Sequence, residues 1–120
     1  MLNRLRNHSR KSGQLIEPLE QRRLMVVEDR AEVDLELGRY GRVVDELSSQ
    51  LVACPLRERT RALLMLALYR RGCRTEAMAV YRTGRKLIAD ELGLEPGPEL
   101  SRLHEAMLAG AEPGVPGRAA

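Results

Sequence analysis

The chain has 120 residues, 43% of them hydrophobic, and this length suffices for one domain with one core but not for two. No stretch approaches the roughly 20 apolar residues that a membrane-spanning helix needs, because Arg or Glu interrupts every hydrophobic run. The net charge of +3 is uneven: residues 1–23 hold six Arg and Lys against two Glu, which leaves 14 basic and 15 acidic residues in 24–120. The folded part therefore lacks the basic excess typical of nucleic-acid-binding proteins.

The N-terminal segment 1–16 is predicted to be a flexible basic arm. It shows no sustained apolar period and carries Arg4, Arg6, Arg10 and Lys11. It also lacks an apolar stretch with a small-residue cleavage site, so it does not resemble a secretion signal and we expect a cytoplasmic protein. Phosphate contacts by the four basic side chains stay an alternative, but without interleaved aromatic residues they do not favour specific nucleic-acid recognition.

Residues 17–109 are predicted to form one all-α domain. Apolar side chains recur there in steps of three and four, as in Leu24, Val27, Ala31 and Leu35, which is the spacing of amphipathic helices. The pattern predicts five helices, over 17–37, 40–53, 56–71, 75–91 and 98–109. The segment 110–120, rich in Gly, Pro and Ala, is predicted to be a disordered tail.

Two glycines mark an internal repeat of 34 residues. Gly38 and Gly72 each follow a predicted helix, where a left-handed residue is commonly needed, and the same offset lays Val43 on Ala77. This period is that of a tetratricopeptide repeat. The sequence thus predicts tetratricopeptide-like antiparallel helix pairs, two repeats in number, followed by a C-terminal capping helix.

Three stretches of the sequence are similar to a known family: PLRER (55–59), LALYR (66–70) and DELGLEPGPEL (90–100). The chain from about Leu24 to Leu108 resembles the bacterial transcriptional activator domain of the Streptomyces antibiotic regulatory protein family. The resemblance implies a tetratricopeptide-like domain of an activator of secondary metabolism. In family members it follows a winged helix-turn-helix, which binds repeats near promoters and helps to recruit RNA polymerase.

The chain departs from that pattern at its N-terminus. Residues 1–23 are too few for a winged helix-turn-helix and are expected to replace the opening helices of the activator domain, so direct DNA binding is not expected. We expect a transcriptional regulator represented by its activator domain, which acts through a protein partner: a second copy, a related regulator or the transcription machinery. A stand-alone adapter, the remnant of a truncated activator gene and the product of a misplaced start are the alternatives.

Two groups of residues are predicted to contact a protein partner. The first lies on the helix left uncovered at the open end of the stack, and comprises Leu24, Met25 and Val27. The second is expected to line the concave surface of stacked helix pairs, with ordinary surface charge as the alternative, and comprises Glu28, Glu32, Arg59, Tyr69 and Arg70. The sequence shows no catalytic constellation, metal-ligand cluster or phosphate loop, so we expect no enzyme activity, cofactor, metal or small-molecule substrate.

Overall fold

The computed structural model describes residues 17–115, and within that range the chain forms five α-helices and no strand. Each predicted helix is confirmed, with ends within two residues of the expected ones. The helices are α1 (Pro18–Glu36), α2 (Tyr40–Ala53), α3 (Glu58–Arg70), α4 (Arg74–Leu92) and α5 (Pro98–Leu108). The predicted basic arm, 1–16, lies outside the described residues.

The first and third helices end in the same way. Gly38 and Gly72 adopt φ of +77° and +91°, the left-handed region that favours glycine, as the sequence predicts. In each turn, the next backbone N–H reaches back five residues: Arg39 N donates to Asp34 O and Cys73 N donates to Leu68 O, both at 2.8 Å. The two helix pairs therefore share one connection geometry at an interval of 34 residues.

The third helix is the centre of the molecule. Nine consecutive residues of α3, from Thr60 to Leu68, are buried, so this helix is covered on all sides. It packs between α2 and α4 and also contacts α1 and α5. The odd-numbered helices therefore lie side by side, as in a tetratricopeptide stack.

Equivalent positions of the two repeats occupy the core. Val43 and Ala77, which the 34-residue offset superimposes, are both fully buried. Leu47 and Tyr81, related in the same way, are also buried. The predicted repeat is therefore confirmed in the packing. No helix within 17–115 combines the length and the apolar character needed to cross a membrane.

Candidate protein-interaction surfaces

A buried carboxylate joins the two helix pairs. Glu28 in α1 has no solvent exposure. Arg57, just before α3, donates from Nε to Oε2 of Glu28 at 2.8 Å and from Nη2 to Oε1 at 2.9 Å. The hydroxyl of Thr60 donates to Oε2 at 2.6 Å. The hydrogen bond with Glu28 raises the pKa of Arg57. A buried charge is tolerated when it is paired and hydrogen-bonded in this way, so Glu28 has a structural role.

A second arginine extends this ionic network to the surface of α1. Arg59 donates from Nη2 to Glu32 at 2.6 Å and to Asp29 at 2.8 Å, and its Nη1 lies 3.4 Å from Glu28. Burial lowers the pKa of Arg59, but the hydrogen bonds with Glu32 and Asp29 outweigh that effect and leave it raised. The predicted contact residues Glu28, Glu32 and Arg59 do come together, but they pair with one another across α1 and α3.

Arg57 and Thr60 were not among the predicted site residues. A signal for the network was present in the sequence, because Glu28 falls between Leu24 and Ala31 in the three-and-four spacing that defines the core face of α1. An acidic residue on a core stripe requires a buried partner. Its two partners lie about thirty residues further along the chain.

The last two predicted contact residues, Tyr69 and Arg70, touch the C-terminal segment of the same chain. The hydroxyl of Tyr69 donates to the carbonyl of Ala111 at 3.0 Å, and Arg70 donates to the carbonyl of Pro113 at 3.1 Å. The disordered tail over 110–120 stays a prediction; residues 111–115 have no helical structure, and these two hydrogen bonds place Ala111 and Pro113 beside α3. Residues 116–120 lie outside the described residues.

The residues of α1 that face solvent are not the three that the sequence predicts. Leu24 is fully buried and Val27 is half-buried against the core, while Met25 is 45% exposed. Leu24 therefore is unavailable to a partner, contrary to the prediction, because the core face of α1 begins there. Besides Met25 and the C-terminal Leu37, the apolar side chains that do face solvent recur every seven residues. We call these three the α1 stripe: Leu19, Val26 and Val33.

The sequence model of one family, the Bacterial transcriptional activator domain, matches residues 3–108. The chain belongs to this family. Regulatory protein AfsR of Streptomyces griseus is 50% identical over 90 residues, which cover 75% of this chain and 9% of AfsR. Regulatory protein DnrI of Streptomyces peucetius is 39% identical over 103 residues, or 86% of this chain and 38% of DnrI. Transcriptional regulatory protein EmbR of Mycobacterium tuberculosis is 34% identical over 79 residues, or 66% of this chain and 20% of EmbR.

The family match begins nearer to the N-terminus than the resemblance noted in the sequence. It begins at residue 3 rather than near Leu24, so the opening segment is part of the activator domain family's pattern and does not replace it. The domain itself spans only a small part of the relatives, from 9% of AfsR to 38% of DnrI.

A cleft of about 590 Å³ lies between α4 and α5 of the activator domain. Its floor is a parallel stack of Tyr81 on His104, with ring centroids 3.7 Å apart and planes inclined by 3°. Arg82 and Arg85 line the same cleft. Burial lowers the pKa of His104, with Arg85 and Arg82 acting in the same direction and Glu105 opposing them. This histidine is therefore a neutral packing group at pH 7.

The described part of the activator domain holds no group of three or more His, Cys, Asp or Glu side chains placed to bind a metal ion. Cys54 is buried, Cys73 is half-buried, and both are free thiols. Burial, followed by the charge of Glu20, raises the pKa of the Cys54 thiol, which keeps it protonated and poorly nucleophilic.

Proposed function

We propose that this activator domain regulates transcription in the bacterial cytoplasm through protein contacts, as a regulator of the Streptomyces antibiotic regulatory protein type. The observation that carries the proposal is the family match over residues 3–108, which includes the whole helical body. The names of AfsR, DnrI and EmbR describe regulatory proteins, and the last is a transcriptional regulator. We assign no catalytic activity to the domain.

The charge distribution supports a protein partner over DNA. Residues 24–120 hold 14 basic and 15 acidic side chains, so the helical body carries no net attraction for phosphates. Arg57 and Arg59, at the start of α3, are paired with carboxylates of α1. Contact with DNA would therefore depend on the arm residues Arg4, Arg6, Arg10 and Lys11.

The α1 stripe is the surface that we assign to self-association, with a second copy of this chain as the partner. Leu19, Val26 and Val33 are 75%, 57% and 54% exposed, and they lie at the end of the stack where no preceding helix pair covers α1 among the described residues. Repeat stacks bury such faces against a neighbouring unit. A spacing of seven keeps the three side chains on one seam, which suits pairing of α1 with its own copy.

A tethering experiment tests the regulatory function. The chain is fused to an unrelated DNA-binding domain, and transcription is measured from a reporter promoter that carries the matching operator in a Streptomyces host. We expect transcription above that given by the DNA-binding domain alone. The matched control is the same fusion with Glu28→Lys, which places a second positive charge beside Arg57 and should lose both fold and activity.

Two results, one from this assay and one from a gel-shift assay, would contradict the proposal. The first is reporter transcription at the level of the bare DNA-binding domain while the fusion accumulates as folded protein. The second is promoter binding by the unfused chain in a gel-shift assay that is lost when the arm residues Arg4, Arg6, Arg10 and Lys11 are replaced by Gln, since that would place the function in DNA contact. An adapter without activator function would give the first result.

A further inference from the structure

The C-terminal end of α3 and the start of α4 form a small surface that a segment of the same chain covers. After α5 ends at Leu108, the chain turns at Gly110, with φ of +76°, and residues 111–115 cross this surface without helical structure. The surface is lined by Tyr69, Arg70 and Arg74, and we call it the α3 notch.

The hydrogen bonds that the α3 notch donates go to backbone carbonyls of the segment. The Tyr69 hydroxyl donates to the carbonyl of Ala111 at 3.0 Å, and Arg70 Nη2 donates to the carbonyl of Pro113 at 3.1 Å. Beside them, Arg74 donates to the carbonyl of Leu108 at 3.0 Å, at the end of α5. Since every peptide has carbonyl groups at this spacing, these donors suit an extended peptide from another protein as well.

One polar group of the notch is left incompletely satisfied by the segment. Nε of Arg70 is buried and finds no hydrogen-bond acceptor among the described residues. The nearest carboxylate is that of Glu112, at 3.7 Å, and the Glu112 side chain is 77% exposed. A carboxylate that approached to hydrogen-bond distance would form a stronger, charge-assisted bond. In the chain's own segment the Glu112 carboxylate lies too far from Nε of Arg70 for this bond, so a peptide whose acidic side chain reaches that atom would bind better.

The segment has the features of a weakly held ligand. Val115 packs on the hydrophobic core and is the only apolar anchor among 111–115 that the core receives. Pro113 fixes its own φ and favours extended backbone at the residue before it, Glu112, which lowers the cost of ordering a bound peptide. Two backbone hydrogen bonds, one long ion pair and one valine are few contacts, so a competitor with similar chemistry can replace them.

We propose that the α3 notch is a binding site for an extended, proline-containing acidic segment of a partner protein, and that residues 111–115 occupy it when the partner is absent. The inference rests on the proposed function only in that the domain acts through protein contacts. Its physical consequence is competition: the affinity for the partner segment is reduced by the fraction of molecules in which the chain's own segment covers the notch.

The test measures binding of a fluorescein-labelled peptide, Ala-Glu-Pro-Gly-Val-Pro amide, to the purified full chain by fluorescence polarisation. Glu112→Gln combined with Val115→Ser weakens the chain's own segment and leaves the notch intact. We expect this double variant to bind the peptide at least about five-fold more tightly than the unmodified chain, because the notch is open more often. A peptide with Gln in place of Glu should bind more weakly to both.

Arg70→Gln, added to the double variant, removes the charge that the peptide carboxylate meets. We expect it to weaken peptide binding by at least about ten-fold. The matched control is Arg71→Gln, an exposed neighbour outside the notch, which should leave binding unchanged. Thermal melts show whether each variant is folded. Equal affinity of the unmodified chain and the double variant, or undiminished binding by the folded Arg70→Gln variant, would overturn the proposal, whatever the transcription reporter shows.

Discussion

Glu28 is the residue on which the junction between the helix pairs depends. Its carboxylate has no solvent exposure and accepts hydrogen bonds from Arg57 and Thr60. Glu28→Gln keeps the shape but removes the charge, which leaves Arg57 largely buried without its counter-ion. We expect the free energy of unfolding in urea to fall by about 3 kcal/mol, because a buried charge that has lost its counter-ion destabilises the folded state.

Asp45→Asn is the matched control for this substitution. Asp45 is exposed on α2, so the same change of carboxylate to amide should alter the free energy of unfolding by less than about 0.5 kcal/mol. If the two variants lost equal stability, the ionic network would have no special part in joining α1 to α3.

His104 should make the stability of the chain depend on pH. Its pKa in the folded chain is lowered from the reference value of 6.5, chiefly by burial. As the pH falls below that value, the unfolded chain binds the proton first, so protonation favours unfolding. We expect the free energy of unfolding to decrease between pH 7.5 and pH 5.5, and to decrease less in His104→Gln. Equal pH slopes for the two chains in urea titrations would show that burial in the folded chain does not lower the pKa of His104.

At the scale of elements, α3 and α4 pack closely because one residue of α4 has no side chain. Arg61 of α3 is 4% exposed and lies over Gly84, where it donates to the carbonyls of Val80 at 2.9 Å and Pro55 at 2.8 Å. Burial lowers the pKa of Arg61, and Glu58 only partly opposes this. A Cβ on Gly84 would lie 2.8 Å from Cζ of Arg61 and closer still to its Cδ and Nε. Position 84 therefore requires glycine, because the Arg61 side chain occupies the space that a Cβ would need.

Gly84→Ala should destabilise the chain although alanine is the better helix former. The gain in helix propensity is about 1 kcal/mol, whereas displacing a buried side chain costs about 1–3 kcal/mol and also breaks the hydrogen bonds of Arg61. In an Arg61→Ala background the clash is absent, so the same substitution should stabilise. Urea unfolding of the four chains gives the coupling. Gly41→Ala on α2 is the control, because a Cβ there would meet only Nη1 of Arg71, in ordinary contact at 4.0 Å. Additivity at position 84 would contradict the packing argument.

The elements that local sequence determines were predictable, and the contacts between distant elements were not. Helix spacing and the glycines at 38 and 72 fix the helices to within two residues, because each depends on neighbours in the chain. Glu28 was assigned to a partner-binding surface because its positively charged partners, Arg57 and Arg59, lie about thirty residues later, at the start of α3. The hydrogen bonds between α3 and residues 111–113 likewise come from Tyr69 and Arg70, some forty residues earlier in the chain. Local sequence therefore does not predict them.

At the scale of the whole molecule, the two ends of the stack differ. Toward the C-terminus, α5 closes the core with Leu100, Leu103 and Met107, all buried. Toward the N-terminus, α1 turns one face to the core and leaves the α1 stripe in solvent. Since a repeat stack buries its apolar faces against neighbours, the exposed end is the one that a second molecule would extend.

Sedimentation velocity over a range of concentrations tests this assignment. We expect the unmodified chain to form dimers, and Val26→Asp combined with Val33→Asp to remain monomeric. Four aspartates, two from each copy, would otherwise be buried in a symmetric seam without counter-ions. Val52→Asp is the control, since Val52 is 84% exposed on α2 and lies outside the stripe. Its dimerisation should match that of the unmodified chain. A chain that stays monomeric at every concentration, or a double variant that still dimerises, would show that the α1 stripe is not a self-association surface.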